Sequence, residues 1–347
     1  MYDALLNRFN QIRKKKYFNS LHKPQKKYAF VGVGMHSLTN FYPLIHYFGV
    51  DLKYICTKGS SWSKQMAIFF PKSSFTNTLK DITQDSEIDG VFVCASPESH
   101  YGLLVELFRS EKKVFIEKPP CTGLRELEEL VRMSQSKVCK VGLQRKYWPG
   151  NKYALKRIKS AKSYFYQFHF GPYIQGDPFV ELFIHALDYS IHLFGNFELN
   201  SFSTKKDKKG VTAQLHINHQ QGISGLIELS THFSWNAPDD CLSVNCDNES
   251  LIIQYPVLVK GEQKPKRLLN LPSERILHQP LVSREYFSTH NLIAPVMELN
   301  TLVLQGFYDE INTFLQITEN NILDQSANDL EGLIAVYQII EKLKKGK

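Results

Sequence analysis

The residues best equipped for proton chemistry lie in Glu181-Leu182-Phe183-Ile184-His185-Ala186-Leu187-Asp188-Tyr189-Ser190-Ile191-His192. Spacings of four, three and four put Glu181, His185, Asp188 and His192 on one face of a helix, with Leu, Phe and Ile making the other faces apolar. A histidine one turn from a carboxylate suits proton transfer near neutral pH. Two plainer roles compete: Asp188 could cap or hydrogen-bond within the core, and His192 could be a satisfied buried histidine. No further ligand set accompanies the four, so no metal is expected.

Lys118 is the second candidate, in Glu117-Lys118-Pro119 at the end of an apolar strand. Pro119 ends that strand. A lysine at such an edge is placed to orient a ribose or to polarise a substrate hydroxyl. A third group is Gly32-Val33-Gly34-Met35-His36-Ser37, after one strand and opening a helix. Its glycines permit a tight turn and let backbone N–H groups approach a pyrophosphate at the helix N-terminus; Ser37, where Gly or Ala is usual, is still small. Ser96-Pro97-Glu98-Ser99-His100 reads as a capped helix start at the same sheet edge, where ligands bind.

The end of the second strand bears on which nicotinamide cofactor fits. It reads Ile55-Cys56-Thr57-Lys58-Gly59-Ser60-Ser61, with hydroxyls and a lysine but no acid. An anionic 2′-phosphate suits such a set better than a bare ribose, so NADP is favoured over NAD. A merely solvated Lys58 and an enzyme that accepts both is the plainer alternative.

These groups need strands and helices to position them. Short, near-continuous apolar runs at Tyr28–Val33, Leu52–Cys56, Gly90–Ala95, Lys113–Ile116 and Val138–Leu143, with a shorter one at Ser74–Asn77, read as parallel strands covered on both faces. Helical segments at about 36–48, 61–69, 98–109 and 123–136 alternate with them, the rhythm of a doubly wound sheet. Past Tyr147 the rhythm changes. A helix near Gly150–Lys159 leads to a strand, Lys162–Phe170, with Tyr164, Tyr166, Phe168 and Phe170 on one face, and then to a long helix, Phe179–Phe194. Strand-like runs follow at Phe197–Thr204, Val211–Asn218, Ile223–His232, Leu242–Cys246 and Ser250–Gln254, implying a largely antiparallel sheet. Lys205–Gly210 and Lys260–Lys266 read as exposed turns, 272–300 as irregular, and Leu302–Thr318 and Ser326–Lys344 as closing helices. The fold class is therefore α/β: an N-terminal Rossmann-type doubly wound parallel sheet plus a C-terminal α+β domain. The expected segments are a basic extension (1–27), a nucleotide-binding domain (28–146) and a substrate and oligomerisation domain (147–347).

Composition narrows the function. The chain of 347 residues carries net charge +8, but residues 1–27 hold eight basic residues against the single acid Asp3, a net +7, leaving +1 for the rest. The basic character therefore belongs to an arm, and the body gives no reason to expect nucleic acid. Leu5, Leu6, Phe9 and Ile12 make that arm a plausible amphipathic helix, packed on the protein's own surface or a subunit neighbour, or else attached to an anionic membrane or nucleic acid. No apolar run approaches the roughly 18 residues of a membrane span. Six cysteines without metal spacing, and no secretory leader, point to reduced thiols and a cytoplasmic protein.

Taken together, these motifs resemble the glucose–fructose oxidoreductase and inositol dehydrogenase (Gfo/Idh/MocA) family. Gly32-x-Gly34-x-x-Ser37 is similar to its nucleotide turn, Glu117-Lys118-Pro119 to its most specific signature, and Val141-Gly142-Leu143-Gln144-Arg145-Lys146-Tyr147 to the strand leaving its first domain. Glu181-x-x-x-His185-x-x-Asp188 is similar to its Asp-x-x-x-His-x-x-Asp helix, with Glu181 in place of Asp, and Glu98 stands where Asn is common. The resemblance implies oxidation or reduction of a sugar, cyclitol or sugar-nucleotide hydroxyl with NAD(P). It makes Lys118 the group that polarises the hydroxyl, His185 the general acid/base, and Glu181 the residue that tunes or orients His185. Its cofactor contacts would be Gly32, Gly34, Met35, His36, Ser37, Thr57, Lys58, Ser96, Pro97, His100, Glu117, Lys118 and Gln144. Arg145, Tyr147, Gln175, Asp177 and Asn236 are candidate polar substrate contacts, and a homodimer or homotetramer formed through the second sheet is implied. Two rivals stand beside this: a nucleotide-binding regulator of the same fold without turnover, and an imine- or biliverdin-type reductase using the aromatic run Tyr164–Phe170.

Overall fold

Apolar runs with both faces buried form the first sheet. Its strands are β1 (Lys27–Val31), β2 (Asp51–Cys56), β3 (Ser74–Thr76), β4 (Ile88–Val93), β5 (Lys113–Glu117) and β6 (Cys139–Gly142), in the order β3-β2-β1-β4-β5-β6. The pairings of β1 with β2 and β4, of β2 with β3, and of β4 with β5 are parallel. The computed structural model describes residues 2–20, 23–59, 62–265, 267–268, 271–273, 280–289 and 300–346. Ser60, Ser61, Lys266 and much of the expected irregular stretch 272–300 lie outside the described residues.

The chain forms two compact units that interleave along the sequence, where consecutive segments were expected. The first comprises Met1–Ile116, Ser136–Lys140 and Ile311–Asn328; the second comprises Glu117–Gln135, Val141–Glu310 and Asp329–Lys347. The core of the first is aromatic. Phe30 stacks on Tyr42 at 4.3 Å between ring centroids, and Phe92 meets Phe314 at 5.0 Å. Phe314 belongs to the helix Phe307–Glu319, and Glu319 at its end accepts the Tyr28 hydroxyl at 2.8 Å. Burial of apolar area and this hydrogen bond draw a late helix into the early sheet.

The second unit carries an eight-stranded sheet built on β7 (Ala161–His169), which runs parallel to β10 (Ser224–Ser230); its other pairings are antiparallel. Between these two in sequence come β8 (Phe197–Lys206) and β9 (Val211–His219); β11 (Asp239–Cys246), β12 (Glu249–Gln254) and β13 (Leu258–Gln263) follow. A two-stranded ribbon, β14 (Arg267–Leu268) with β15 (Leu271–Pro272), precedes the edge strand β16 (Ser283–Ser288). β13 and β16 correct two expectations, a turn and an irregular connection. β16 is the edge strand and β13 lies next to it; charged residues interrupt the apolar signal in both, yet Val259 and Phe287 point into the core. On β9, Val211, Ala213, Leu215 and Ile217 are buried, while Gln214, His216 and Asn218 face outward, the alternation of a sheet covered on one side.

Helices follow the expected spans closely in the first unit. The turn after β1 opens a helix whose first part, Ser37–Phe41, is π-helical and continues as Tyr42–Phe48; Pro97–Arg109 follows β4. The long helix expected over Phe179–Phe194 is broken. It forms as Pro178–Glu181 and Ile184–Phe194, with Leu182 and Phe183 in a turn between them. The basic arm is helical over Tyr2–Ser20 (α1), but the chain's own surface does not cover it: Leu5, Leu6, Phe9 and Ile12 are all exposed.

Candidate active site

A cavity of about 490 Å³ in the first unit lies at the C-terminal ends of its parallel strands, within the size range of small-molecule sites. Gly32 has φ +110°, and a Cβ there would stand 2.0 Å from the Cys94 carbonyl oxygen, so only glycine fits. Above Gly34 lies open space, where a Cβ would meet nothing within 4 Å. The Gly32 N–H donates to the Cys56 carbonyl at 2.8 Å, and Tyr42 donates its hydroxyl to the Gly32 carbonyl at 2.9 Å.

Ser37 does more than fit. Fully buried, its Oγ accepts the Gly34 N–H at 2.9 Å and donates to the Gly34 carbonyl at 2.8 Å. Both glycine N–H groups are thus already taken, one by Cys56 at the end of β2 and one by Ser37. The expectation that they reach a pyrophosphate gives way to the helix that follows, whose N-terminal dipole end favours an anion. Gly32, Gly34, Met35, His36, Ser37, Thr57, Lys58 and Ser96 line this cavity, joined by Ser99 of the same helix start and by Asn77, whose short polar side chain carries no motif of its own. Pro97 and His100 are not among the lining residues. Pro97 starts the helix, and the buried His100 places Nε2 3.0 Å from the Ala95 carbonyl, bracing the turn. Ser96 caps through no side-chain bond; its Oγ meets Ser99 Oγ at 3.1 Å. A glycine turn with room above it, a helix N-terminus and a second strand whose C-terminal end carries no acid fit a dinucleotide.

The second unit gathers the proton-handling residues. After β5 the chain passes through a cis Lys118–Pro119 bond, and Lys118 Nζ donates to the backbone carbonyl of Glu181 at 2.6 Å. The helix break explains why that carbonyl is available. In a regular helix the His185 N–H would take it, but that N–H bonds Leu182 at 3.2 Å instead. His185 itself is 6 % exposed, on the first turn of Ile184–Phe194. The Glu181 carboxylate turns elsewhere. It accepts the Tyr173 hydroxyl at 3.0 Å and the Asp177 N–H at 2.7 Å, closing the loop before the break. Gly176, at φ +89°, must be glycine because a Cβ would meet that carboxylate at 2.1 Å. Glu181 therefore touches Lys118 through its main chain, while its side chain organises a loop.

Asp188 and His192 belong to a buried polar layer. Asp188 pairs with Lys146 Nζ at 2.7 Å. Burial works against the lysine's charge, but the attraction of Asp188, joined by Asp329 and Glu310, outweighs it and holds the ammonium's pKa above its usual value. His192 is pushed down to about 4, first by burial and then by the Lys146 charge, so its ring is neutral near pH 7. Arg145, expected as a substrate contact, is buried instead: its Nε bonds Asp240 at 2.9 Å, and its guanidinium lies 4.7 Å from the Tyr255 ring centroid. Asp177 caps the helix at Phe179 N (3.0 Å) and pairs with Lys344, whereas Gln175 and Asn236 are exposed. Tyr147 is half-buried, and burial raises its pKa. Glu117 is buried against Gly142, where a Cβ would stand 2.6 Å from its Oε1. Gln144 opens a short 3-10 turn, its carbonyl packed against Gly306. Among the described residues no group of three or more His, Cys, Asp or Glu side chains is placed to hold a metal ion.

The model of an oxidoreductase family with an NAD-binding Rossmann fold, GFO_IDH_MocA, matches residues 26–144, the segment that carries the glycine turn and the Glu117-Lys118-Pro119 motif. That segment carries the NAD-binding Rossmann fold of the Gfo/Idh/MocA oxidoreductases. Beyond the matched segment, the fold agrees with solved structures along nearly the whole chain. A dehydrogenase from Chromobacterium violaceum superposes at TM-score 0.78 over 92 % of this chain and 94 % of that one, at 15 % identity. KijD10, a 3-ketoreductase from Actinomadura kijaniata solved with TDP-benzene and NADP, superposes at TM-score 0.71 over 92 % and 97 %, at 12 % identity. The Salmonella typhimurium protein YceM is 29 % identical over 116 residues, 32 % of this chain and only 38 % of that relative's length.

Proposed function

We propose that this chain is a Gfo/Idh/MocA-type, NAD(P)-dependent oxidoreductase interconverting a hydroxyl and a keto carbon on a sugar, cyclitol or sugar-nucleotide substrate in the cytoplasm. A bound pyridine nucleotide supplies the two-electron redox chemistry. The Gly32–Ser37 turn, with Thr57, Lys58 and Ser96, would hold it. His185 takes or gives the hydroxyl proton, and the Lys118 ammonium stabilises negative charge on the substrate oxygen. Glu181 positions Lys118 through its carbonyl. The observation that carries this reading is the 2.6 Å bond from Lys118 Nζ to that carbonyl, at the helix break directly before His185.

NADP is the favoured cofactor. Thr57 and Lys58 line the cavity where β2 ends without a carboxylate, so a 2′-phosphate meets a cation and no like charge. KijD10, described with NADP and a TDP compound, supports both the cofactor and the substrate class. The aromatic run offers little to a reductase of flat apolar substrates, because Tyr164, Tyr166 and Phe168 are buried in the core. The open face of the second sheet, where Phe165 and Leu226 stand exposed, is assigned to a homo-oligomer. Fluorescence titration with NADH and NADPH, followed by turnover screens on sugars and nucleotide sugars, tests the reading. Tighter NADPH binding with turnover on a member of that panel is expected; binding of neither nucleotide overturns it.

A further inference from the structure

A strongly charged feature that the proposed chemistry does not use is α1. Tyr2, Leu5, Leu6, Phe9 and Ile12 recur at three- and four-residue spacing along one side, and all are between 46 and 79 % exposed. Arg8, Arg13, Lys14 and Lys15 are exposed around and between them, and the Arg13 guanidinium lies 5.7 Å from the Phe9 ring centroid. Apolar side chains flanked by basic ones, with Asp3 the only acid, match a surface that is apolar beneath and anionic above.

We propose that α1 is an interfacial anchor lying flat on an anionic phospholipid surface. A second copy of the helix is a poorer occupant. The stripe covers about two heptads, short of the three or four that sustain a coiled coil, and pairing would bring basic side chains together with no acid to offset them. The chain outside α1 is itself net positive, at +4, and so is no acidic complement as a whole. A spanning role is excluded for this helix, since among the described residues none is long and apolar enough to cross a membrane. Nucleic acid would use the basic residues but leave the five large apolar side chains in water.

The test is co-sedimentation of the full chain with phosphatidylcholine vesicles and with mixed phosphatidylcholine–phosphatidylserine vesicles, at low and high salt. Partition onto the mixed vesicles alone, weakening as salt rises, is expected. Replacing Arg13, Lys14 and Lys15 together by Gln should weaken it on the order of 100-fold. Phe9→Gln with Ile12→Gln should weaken it roughly tenfold or more. These residues are exposed, so neither variant should unfold the protein; an unchanged thermal transition checks this. A chain that stays in the supernatant, an apolar variant that binds as the parent does, or a DNA duplex that displaces the protein from vesicles would each overturn the proposal.

Discussion

The glycine turn of the first unit and the Lys118 cluster of the second both form where a strand ends, but they are made of different material. The turn is backbone: Gly32 sets its shape, and Ser37 closes it on Gly34 within six residues. The cluster is held by bonds between residues far apart in sequence. Lys118 reaches Glu181, Lys146 reaches Asp188, and Arg145 reaches Asp240. A short-range device is robust and legible in a motif, whereas a long-range one depends on the packing that assembles it. Substitutions in the two regions should therefore fail differently.

The largest effect is expected in the second unit. Asp188→Ala leaves the Lys146 ammonium without its partner in a mostly buried setting, and should cost about 3–5 kcal/mol of stability, nearer 3 because Lys146 is 26 % exposed. Urea denaturation reads it; a loss below about 1 kcal/mol would make the pair incidental. His192 gives the same layer a pH signature. Its folded pKa, about 4, lies below the ordinary 6.5, so the unfolded chain binds the proton first as pH falls. Stability is then fully present above about 6.5, falls between 6.5 and 4, and loses up to about 3 kcal/mol in all. His192→Gln should flatten that part of a stability–pH curve, and an unaltered slope would remove His192 from it.

The first unit should respond more locally. Gly32→Ala forces a methyl against the Cys94 carbonyl at a positive φ, which should cost about 1–3 kcal/mol. It should also weaken nucleotide binding while leaving the second unit's near-UV dichroism intact. The smallest effect is expected at the exposed Lys58. Lys58→Ala should weaken NADPH roughly fivefold and NADH hardly at all; equal weakening of both would return the cofactor question to an enzyme that takes either.

The same contrast explains what could be read from the sequence. The central strands β1, β4 and β5 announce themselves because burial on both faces leaves apolar runs, as in Tyr28-Ala29-Phe30-Val31. The glycine turn and Glu117-Lys118-Pro119 are equally local. What was not legible is partnership. Nothing near Asp188 names Lys146, and nothing near Glu181 shows that its carboxylate would go to Tyr173 and Asp177. The helical spacing through Leu182 and Phe183 was real, yet the Lys118 bond to the Glu181 carbonyl and the loop closure hold the chain in two helices. Arg145 looked like a substrate ligand because sequence cannot show that Asp240 and two aromatic rings enclose it.

Lys118 carries the central claim. In Lys118→Ala, measured beside the parent on a substrate found in the screen, kcat should fall at least about a hundredfold while the NADPH dissociation constant moves only a few-fold. Full turnover in that variant would contradict the account.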